Sequence, residues 1–329
     1  MKTILILVAA SVLLLVFVVQ QWVGVLNLFG ALGEIQFSYL PLIILLPFGS
    51  LLIHALRWKI IIKSIGIRTR FSTVYRYTLI GAAFSNLTPM VRFGGEPFKA
   101  YLYAKEISVP KKKMFASITI DSLTTAVTIL SVVYLGALSL FVFNVLDAFA
   151  LWLVLTVLLL PITLGAYMFY EKRVLVFFSD KISKAACRLK PGLCRNMRRD
   201  MLGFRKDLMK VVKDKRTMSV SVFLSFLERL TEILTFYVIM LALGVDFSMY
   251  SSAIVIGVGI MGGLIPFLPG GMVTYESFSF AALAALGVPP VVSALSVLIY
   301  RGVDYWLVSF AGLGTGWLHG INFSPPENR

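Results

Sequence analysis

Six charged residues lie inside long apolar stretches of this sequence. They are Asp121 in one stretch, Glu228, Arg229 and Glu232 in a second, and Arg301 and Asp304 in a third. Each charge costs roughly 2.5–3.5 kcal/mol at the centre of a membrane helix, so we expect it to face water or a partner. Such carboxylates can bind a cationic group or relay protons, and such arginines can bind phosphate. The alternative is a set of salt bridges that only holds helices together.

The spacing of these residues predicts shared polar faces. One stripe recurs every three or four residues and comprises Ser221, Ser225, Glu228, Glu232 and Thr235. Arg301 and Asp304 are three residues apart, which makes them neighbours on a helix surface. We therefore expect these two helices to face a wet or paired interior rather than lipid.

Two breaks rich in proline and glycine interrupt apolar segments at matching places in the two halves. The break residues are Pro89, Gly94 and Gly95 in the first half and Pro266, Pro269, Gly270 and Gly271 in the second. Non-helical backbone at membrane depth survives only where protein buries it or a wet cavity solvates it. Paired breaks of this kind point to a transporter's binding site. The alternative is a helix break that serves packing alone.

Charged residues next to the breaks complete the candidate substrate-binding site. Glu96 and Glu276 each lie in the first turn of a predicted helix that follows a break, and we expect Thr274 to cap the second of these helices. The free N–H groups of such helix starts attract anions, including phosphate. Arg92 lies within the first break and would contact the same phosphate; its alternative is an arginine that extends to the cytoplasmic surface.

The composition is that of a polytopic membrane protein. The chain has 329 residues, of which 58% are hydrophobic, and a mean hydropathy of +0.87. These values exclude a soluble domain of this length. Stretches of about 20 apolar residues span a bilayer. We predict six full spans and two interrupted segments: spans 3–29, 39–62, 114–143, 148–170, 218–243 and 290–319, and segments 72–107 and 250–286.

The uneven distribution of the net charge of +15 predicts the topology. Lysine and arginine cluster in 57–76, 92–113 and 171–216, whereas loops 30–38, 144–147 and 244–249 contain neither. Because cytoplasmic loops carry the excess of basic residues, both termini should be cytoplasmic. The interrupted segments must then dip into the membrane from opposite sides and return.

The predicted fold class is therefore an all-α polytopic membrane protein with two re-entrant broken hairpins in an inverted-topology repeat. We expect one integral membrane domain over residues 1–329, with repeat A at 39–143 and repeat B at 218–319. A basic cytoplasmic insertion at 171–216, with 15 basic and 5 acidic residues, separates the repeats. Its apolar residues at helical spacing predict an amphipathic helix that lies on the anionic inner leaflet.

The sequence indicates no cofactor and no metal site, and nucleic-acid binding is not expected beside a membrane. His54 lies within a span, and the only other histidine is His319 near the far end of the chain. We therefore interpret His54 as a packed, neutral imidazole.

The motifs quoted above resemble the lysylphosphatidylglycerol synthase transmembrane-region family. The resemblance is carried by the runs beginning at Asn86, Arg229, Pro266, Tyr275 and Tyr300. It implies a lipid flippase-like fold with paired re-entrant hairpins, like the flippase half of the multiple peptide resistance factor, and a homodimer. The chain ends at Arg329 without the aminoacyl-transferase domain of that factor, so we expect no lipid aminoacylation.

The leading functional hypothesis is a non-enzymatic transporter of the cell membrane. It would move a phosphate-bearing lipid, of the phospholipid or polyprenyl type, between leaflets, with membrane lipids as its partners. The alternatives are a non-catalytic scaffold for a lipid-modifying enzyme and a secondary transporter of small solutes. An intramembrane protease is disfavoured, because Asp304 follows Arg-Gly-Val rather than a Gly-x-Gly motif.

Overall fold

The computed structural model describes residues 2–33, 35–88, 95–142, 197–265 and 269–321. All regular structure in these ranges is helical, which confirms the all-α class. The helices are α1 Lys2–Trp22, α2 Val25–Leu32, α3 Leu40–Ser64, α4 Phe71–Leu87, α5 Gly95–Glu106, α6 Lys111–Val142, α7 Met197–Lys213, α8 Lys215–Ala242, α9 Met249–Gly263, α10 Thr274–Ala285, α11 Pro290–Arg301 and α12 Val308–Leu318. A π-helical turn, Gly302–Leu307, joins α11 to α12, and a short 3₁₀ turn, Pro269–Gly271, precedes α10.

Local sequence signals explain where several helices begin and end. Asp214 caps α8 by accepting hydrogen bonds from the hydroxyl and the backbone N–H of Thr217, and these bonds lower the pKa of the Asp214 carboxyl. Ser248 caps α9 in the same way. Gly24, with φ of +74°, separates α1 from α2. The prediction of one continuous span over 3–29 is therefore wrong, because the helix breaks at this glycine.

Three helical stretches in the described part of the chain are long and apolar enough to cross a membrane: Phe37–Ser64, Lys111–Ser139 and Pro290–Leu318. They correspond to three of the predicted spans. Helix α8 falls short of the same composition because it carries Glu228, Arg229 and Glu232. The predicted span 148–170 lies outside the described residues. Large apolar side chains such as Phe223, Phe310 and Trp317 are exposed on the outer surface, as lipid-facing residues would be.

Helices α4 and α5 form one helical hairpin, and α9 and α10 form the other. At the open end of the first, Arg76 pairs with Glu106 at 2.8 Å, whereas Gly81 faces Lys99 further in. In the second, Gly259 lies against Ser279 and Gly262 against Thr274. In both hairpins, the residue numbers rise along one helix while those of their contacting residues fall along the other, so both helix pairs are antiparallel. Each interrupted segment therefore returns to the end of the molecule from which it started.

The helices form two sets, α3 to α6 and α8 to α12, and the helices of one set pack against those of the other. Helix α3 runs antiparallel to α8, α4 packs against α12, and α6 packs against α9. The second element of each set thus contacts the last element of the other set. This is the packing that an inverted repeat produces, since exchanging the two sets reproduces the same contacts. The residue limits 39–143 and 218–319 for the repeats stay a prediction.

The contacts between the sets rely on glycines: Gly257 and Gly136 where α9 crosses α6, and Gly312 where α12 crosses α4. A Cβ on Gly257 of α9 would lie 2.3 Å from the carbonyl oxygen of Val132 on α6. A Cβ on Gly312 of α12 would lie 2.3 Å from the carbonyl oxygen of Leu79 on α4. Gly257 and Gly312 belong to the second set, whereas Gly136 belongs to the first. The backbones approach closely at these points because no side chain separates them.

Helix α7 confirms that the basic insertion contains a helix, but its surroundings differ from the prediction. Leu208 and Val211 are buried in a cluster with residues of α3 to α6 rather than in lipid. The apolar face of α7 is therefore used largely for packing against the protein. Contact of the exposed lysines of α7 with an anionic leaflet stays a prediction, and residues 171–196 lie outside the described residues.

Candidate functional site

A cavity of about 250 Å³ lies where the two helix sets meet. Its walls combine apolar side chains with carboxylates, arginines and hydroxyls from both sets. The ionisable residues that line it are His54, Glu96, Asp121, Glu228, Arg229, Glu232, Arg301 and Asp304. Seven of these eight were predicted as substrate-binding residues from the sequence, and the cavity brings them together in one place.

Arg57 organises the first ionic cluster, although it does not line the cavity. Its Nε donates to Asp121 Oδ1 at 2.7 Å, and one terminal nitrogen donates to Glu228 Oε2 at 2.5 Å. The same nitrogen donates to Ser225 Oγ at 2.6 Å, and the other donates to Thr125 Oγ1 at 2.8 Å. This side chain is fully buried. A planar guanidinium with five donors can join carboxylates on two helices in this way, which fixes α3 against α6 and α8.

His54 and Lys99 extend this cluster to the cavity wall and to the first hairpin. His54 Nδ1 lies 3.1 Å from Glu228 Oε1, and its Nε2 lies 3.0 Å from Asp121 Oδ2. Lys99, one turn into α5, pairs with Glu96 at 2.7 Å and lies over the Trp58 ring at 4.5 Å. His54 is therefore more than a packed side chain, because both ring nitrogens contact carboxylates, and its neutral state stays a prediction.

The second ionic cluster surrounds Arg301. Its Nε donates to Glu276 Oε1 at 2.6 Å, and a terminal nitrogen donates to the Gly270 carbonyl oxygen at 3.0 Å. The guanidinium also lies over the rings of Tyr275 and Tyr305, 4.9 and 4.4 Å from their centroids. Glu276 is buried and lies behind Arg301 rather than on the cavity wall. Arg301 thus ties α11 to the start of α10 and to the tip of the second hairpin.

The remaining predicted charges lie beside these clusters. Arg229 pairs with Glu232 one turn further along α8, and both side chains are buried. Asp304 lies in the π-helical turn that follows Arg301. Such turns occur frequently at functional sites, where they shift a side chain out of the regular helical register. The turn places Asp304 on the cavity wall.

The tip of the second hairpin contacts the end of α4. Gly270 and Gly271 have φ of +57° and +66°, which confirms that these glycines allow the turn. Tyr305 donates to the Asn86 carbonyl oxygen at 2.8 Å, and a Cβ on Gly270 would lie 2.2 Å from the Tyr305 ring. Pro269 is buried in the same turn. One end of the cavity is thus closed by groups from both halves.

Two details of the breaks differ from the sequence predictions. Thr274 is the first residue of α10 rather than its cap, and its hydroxyl donates to the Gly271 carbonyl oxygen at 3.1 Å. Val273 takes the preceding position with φ of +71°, an uncommon conformation for a β-branched residue. Gly95 is needed for space, since a Cβ there would lie 2.2 Å from the Gly81 carbonyl oxygen. The predicted residues Pro89, Arg92, Gly94 and Pro266 lie outside the described residues.

Sequence analysis missed His54, Arg57 and Lys99. Arg57 stands at the end of a predicted span and was counted with the basic residues of 57–76, and Lys99 was counted with those of 92–113. A local signal was present nevertheless. His54 and Arg57 are three residues apart, so a helix places them on the same face. The two therefore face Glu228 of α8 from the same side of α3.

The two hairpins carry charge pairs of opposite arrangement. In the first, Lys99 on α5 lies 3.9 Å from Asp121 on α6. In the second, Glu276 on α10 pairs with Arg301 on α11. Asp121 and Arg301 each follow a proline, Pro110 or Pro290, by eleven residues. The same construction therefore appears twice with its signs reversed.

The geometry does not favour a metal ion in the first cluster. His54, Glu96 and Asp121 each place one potential ligand atom within 4.8 Å of the others. Lys99 Nζ lies 2.7 Å from Glu96 Oε2 and 3.4 Å from His54 Nε2. An ammonium group thus already holds the positive charge there, and these residues are not assigned as metal ligands. The sequence prediction of no metal site stays a prediction.

Comparison with known proteins identifies the family. Residues 4–312 match the family described as "Lysylphosphatidylglycerol synthase TM region". The chain belongs to this family. It is thus a multi-pass membrane protein of a family connected with membrane lipids.

The chain is also similar to archaeal proteins named UPF0104 membrane protein. One, from Methanothermobacter thermautotrophicus, is 25% identical over 86% of both chains. Another, from Methanocaldococcus jannaschii, is 26% identical over 91% of this chain and 90% of the relative. A third, from Pyrococcus horikoshii, is 25% identical over 91% and 92%, respectively. These matches extend over nearly the whole of each relative, so they relate whole membrane domains rather than a shared segment.

Proposed function

We propose that this protein is a lipid flippase of the cell membrane. It moves a phosphate-bearing lipid, of the phospholipid or polyprenyl type, between leaflets. The headgroup passes through the central cavity while the acyl chains stay in the surrounding lipid. The single observation that carries this proposal is the cavity between the two helix sets, which is lined by charges of both signs.

The cavity suits a headgroup rather than a whole lipid. Its volume of about 250 Å³ leaves no room for acyl chains. Arg229 and Arg301 line the cavity, and a guanidinium there can bind a phosphate. The carboxylates on the wall, such as Asp121 and Glu228, can bind a headgroup that also carries a positive charge.

The contact between the hairpin tip and α4 supports movement between leaflets. Tyr305, Asn86 and Gly270 close one end of the cavity through a hydrogen bond and a close approach of Gly270 to the Tyr305 ring. Separation of these contacts would open that end. In repeat-built transporters, alternating access operates through the opening and closing of such contacts around a central site.

The proposal includes no chemical change of the lipid, so the protein is not an enzyme in this scheme. Membrane lipids are its partners, and it acts with both termini in the cytoplasm, as a homodimer. The scaffold and small-solute alternatives make different predictions for purified protein. A scaffold moves nothing, and a solute transporter leaves labelled lipid in its original leaflet.

Liposomes containing only this protein test the proposal. The bilayer carries a fluorescent phosphatidylethanolamine in both leaflets, and dithionite destroys only the label that is accessible from outside. We expect the protein to make the inner-leaflet label accessible as well. Protein-free liposomes and a soluble fluorescent solute trapped inside serve as controls for leakage. If inner-leaflet label stays protected for phosphatidylethanolamine, phosphatidylglycerol and a polyprenyl phosphate alike, the flippase proposal is wrong.

A pair of matched variants connects activity to the cavity. Glu232→Gln removes one charge from the wall with little change in shape, and we expect it to slow lipid movement at least about tenfold, the effect of 1.4 kcal/mol. Glu106→Gln removes a carboxylate from the exposed pair with Arg76, outside the cavity, and should leave the rate unchanged. Equal rates in both variants would contradict a role for the charged wall.

A further inference from the structure

The ionic cluster around His54 is neutral only when the imidazole carries an extra proton. The charged groups that face His54 come from every helix packed around it. They are Arg57 on α3, Glu96 and Lys99 on α5, Asp121 on α6 and Glu228 on α8. Two of these five groups are cationic and three are anionic. A protonated His54 therefore balances the cluster, whereas a neutral His54 leaves one negative charge in excess.

The hydrogen-bond geometry independently indicates the protonated form. His54 Nδ1 lies 3.1 Å from a Glu228 oxygen, and Nε2 lies 3.0 Å from an Asp121 oxygen. A neutral imidazole has only one N–H, so it would turn a lone pair toward one of these carboxylates. The imidazolium donates to both. Lys99 Nζ also lies near Nε2, at 3.4 Å, but the Asp121 oxygen is the closer partner.

Of the three cations, His54 is the one that can exchange its proton. The guanidinium of Arg57 stays protonated in proteins, and its side chain is fully buried. Lys99 is also fully buried, and it is held by Glu96 and by the face of Trp58. His54 lines the cavity, and 15% of its side chain is accessible. A proton that leaves the imidazole can therefore reach water in the cavity directly.

We propose that His54 is a proton-exchange site and that the protein exchanges a proton for the ammonium group of a lipid headgroup. When the ammonium reaches the carboxylates of Asp121 and Glu228 from the cavity, the cluster gains one positive charge. The imidazolium then releases one proton to cavity water and becomes a neutral imidazole. The charge of the site is the same before and after this exchange. The inference rests on the proposed function, which it extends from lipid movement to coupling with protons.

The protonation state of His54 is tested first, without any lipid. The sequence contains two histidines, so ¹⁵N-histidine labelling of the protein in detergent gives two sets of imidazole signals. The set that disappears in His54→Gln belongs to His54. We expect the shifts of a doubly protonated ring for His54 at neutral pH. A singly protonated ring would overturn the proposal.

Proton release on binding is tested second. Dihexanoylphosphatidylethanolamine, which carries an ammonium group, is added to the detergent-solubilised protein in weak buffer with a pH-indicating dye. We expect about one proton released per lipid bound, since the charge of the site is conserved. Dihexanoylphosphatidylglycerol, which lacks the ammonium, should release none. His54→Gln should bind dihexanoylphosphatidylethanolamine without releasing a proton, because the glutamine side chain carries no exchangeable proton of this kind.

His319→Gln is the matched control, because it removes the other histidine. His319 is exposed and its ring contacts only the Thr315 carbonyl oxygen among the described residues, so this variant should release a proton as the natural chain does. Binding of phosphatidylethanolamine without release, equal release by His54→Gln, or no binding of this lipid would each overturn the exchange. Lipid movement in liposomes that persists under any of these results would leave the flippase proposal standing.

Discussion

Arg301 connects three separate parts of the molecule through a single side chain. It binds the carboxylate of Glu276, the backbone of the hairpin tip at Gly270, and the faces of two tyrosine rings. A buried charge of this kind contributes little net stability compared with an apolar residue, but the loss of one partner leaves the other uncompensated. The value of the arrangement is therefore positional. It fixes the start of α10 and the turn before it in one geometry.

Removal of Arg301 should destabilise the protein through the carboxylate that is left behind. We expect Arg301→Met to lower the free energy of unfolding by roughly 3–5 kcal/mol, because Glu276 would keep a buried charge without its cation. The double variant Arg301→Met/Glu276→Gln should recover most of this loss. Denaturant unfolding in detergent, followed by intrinsic fluorescence, measures the three proteins.

The control for this comparison is Arg76→Gln. Arg76 also pairs with a glutamate, but Glu106 is partly exposed, so the loss should be at most about 1 kcal/mol. Equal decreases in the free energy of unfolding for Arg301→Met and Arg76→Gln would show that water reaches the pair between Arg301 and Glu276. A double variant less stable than Arg301→Met would contradict the role assigned to Glu276.

At the scale of elements, the glycines of the two hairpins act through different physical constraints. Gly271 is needed for its positive φ and for its approach to Gly263. Gly95 has no such φ, but it starts α5 directly against the backbone of α4, next to Ser85 and the Gly81 carbonyl. The two breaks therefore resemble each other in sequence while the chain uses their glycines in two ways.

Alanine substitutions distinguish these local constraints from a general destabilising effect of replacing glycine by alanine. Gly95→Ala and Gly271→Ala should each cost about 1–3 kcal/mol, because neither site has room for a methyl group without moving backbone. Gly49→Ala in α3 meets no atom within 4 Å and should stabilise the protein by about 1 kcal/mol. Thermal unfolding of the three purified variants measures this. A Gly95→Ala protein with natural stability would mean that α4 and α5 are further apart than described.

The elements also show what sequence patterns can predict and where they stop. Proline and glycine act locally, so the hairpins and their breaks were predictable from short segments. Buried charges were predictable where they stood inside apolar runs, as Glu228 and Arg301 do. The role of Arg57 was harder to predict, because its partners are 64 and 171 residues away along the chain and only its spacing from His54 was a local signal. Its position at the end of a span looks the same as that of an orientation charge.

At the scale of the whole molecule, the two ends carry different charge. Gln36 donates its N–H to the Ala242 carbonyl oxygen, and Ser139 contacts Tyr250, so the ends of four helices meet there. No described residue of that end is a lysine or an arginine, whereas the exposed lysines of α7 lie at the opposite end. The uneven distribution of lysine and arginine among the loops of the sequence thus corresponds to two ends of the molecule that carry different charge.

This polarity predicts the orientation of the protein in the cell membrane. In a background with Cys187 and Cys194 replaced by serine, Asp246→Cys should react with an impermeant maleimide in intact cells. Lys105→Cys should react only after the membrane is opened. Asp246 and Lys105 lie in loops or helix ends at opposite ends of the molecule and both are exposed, so accessibility is matched. Labelling of Lys105→Cys in intact cells would contradict the predicted orientation and indicate the opposite one.

The contacts between the two helix sets bear on how such a protein can evolve. Two copies of the first set would turn Arg57 toward its own counterpart rather than toward the carboxylate of Glu228. Two copies of the second set would bring Glu228 face to face with itself. If the sets descend from one duplicated ancestor, each has since become unable to replace the other. The halves are now committed partners, and neither can return to a self-paired form by a single substitution.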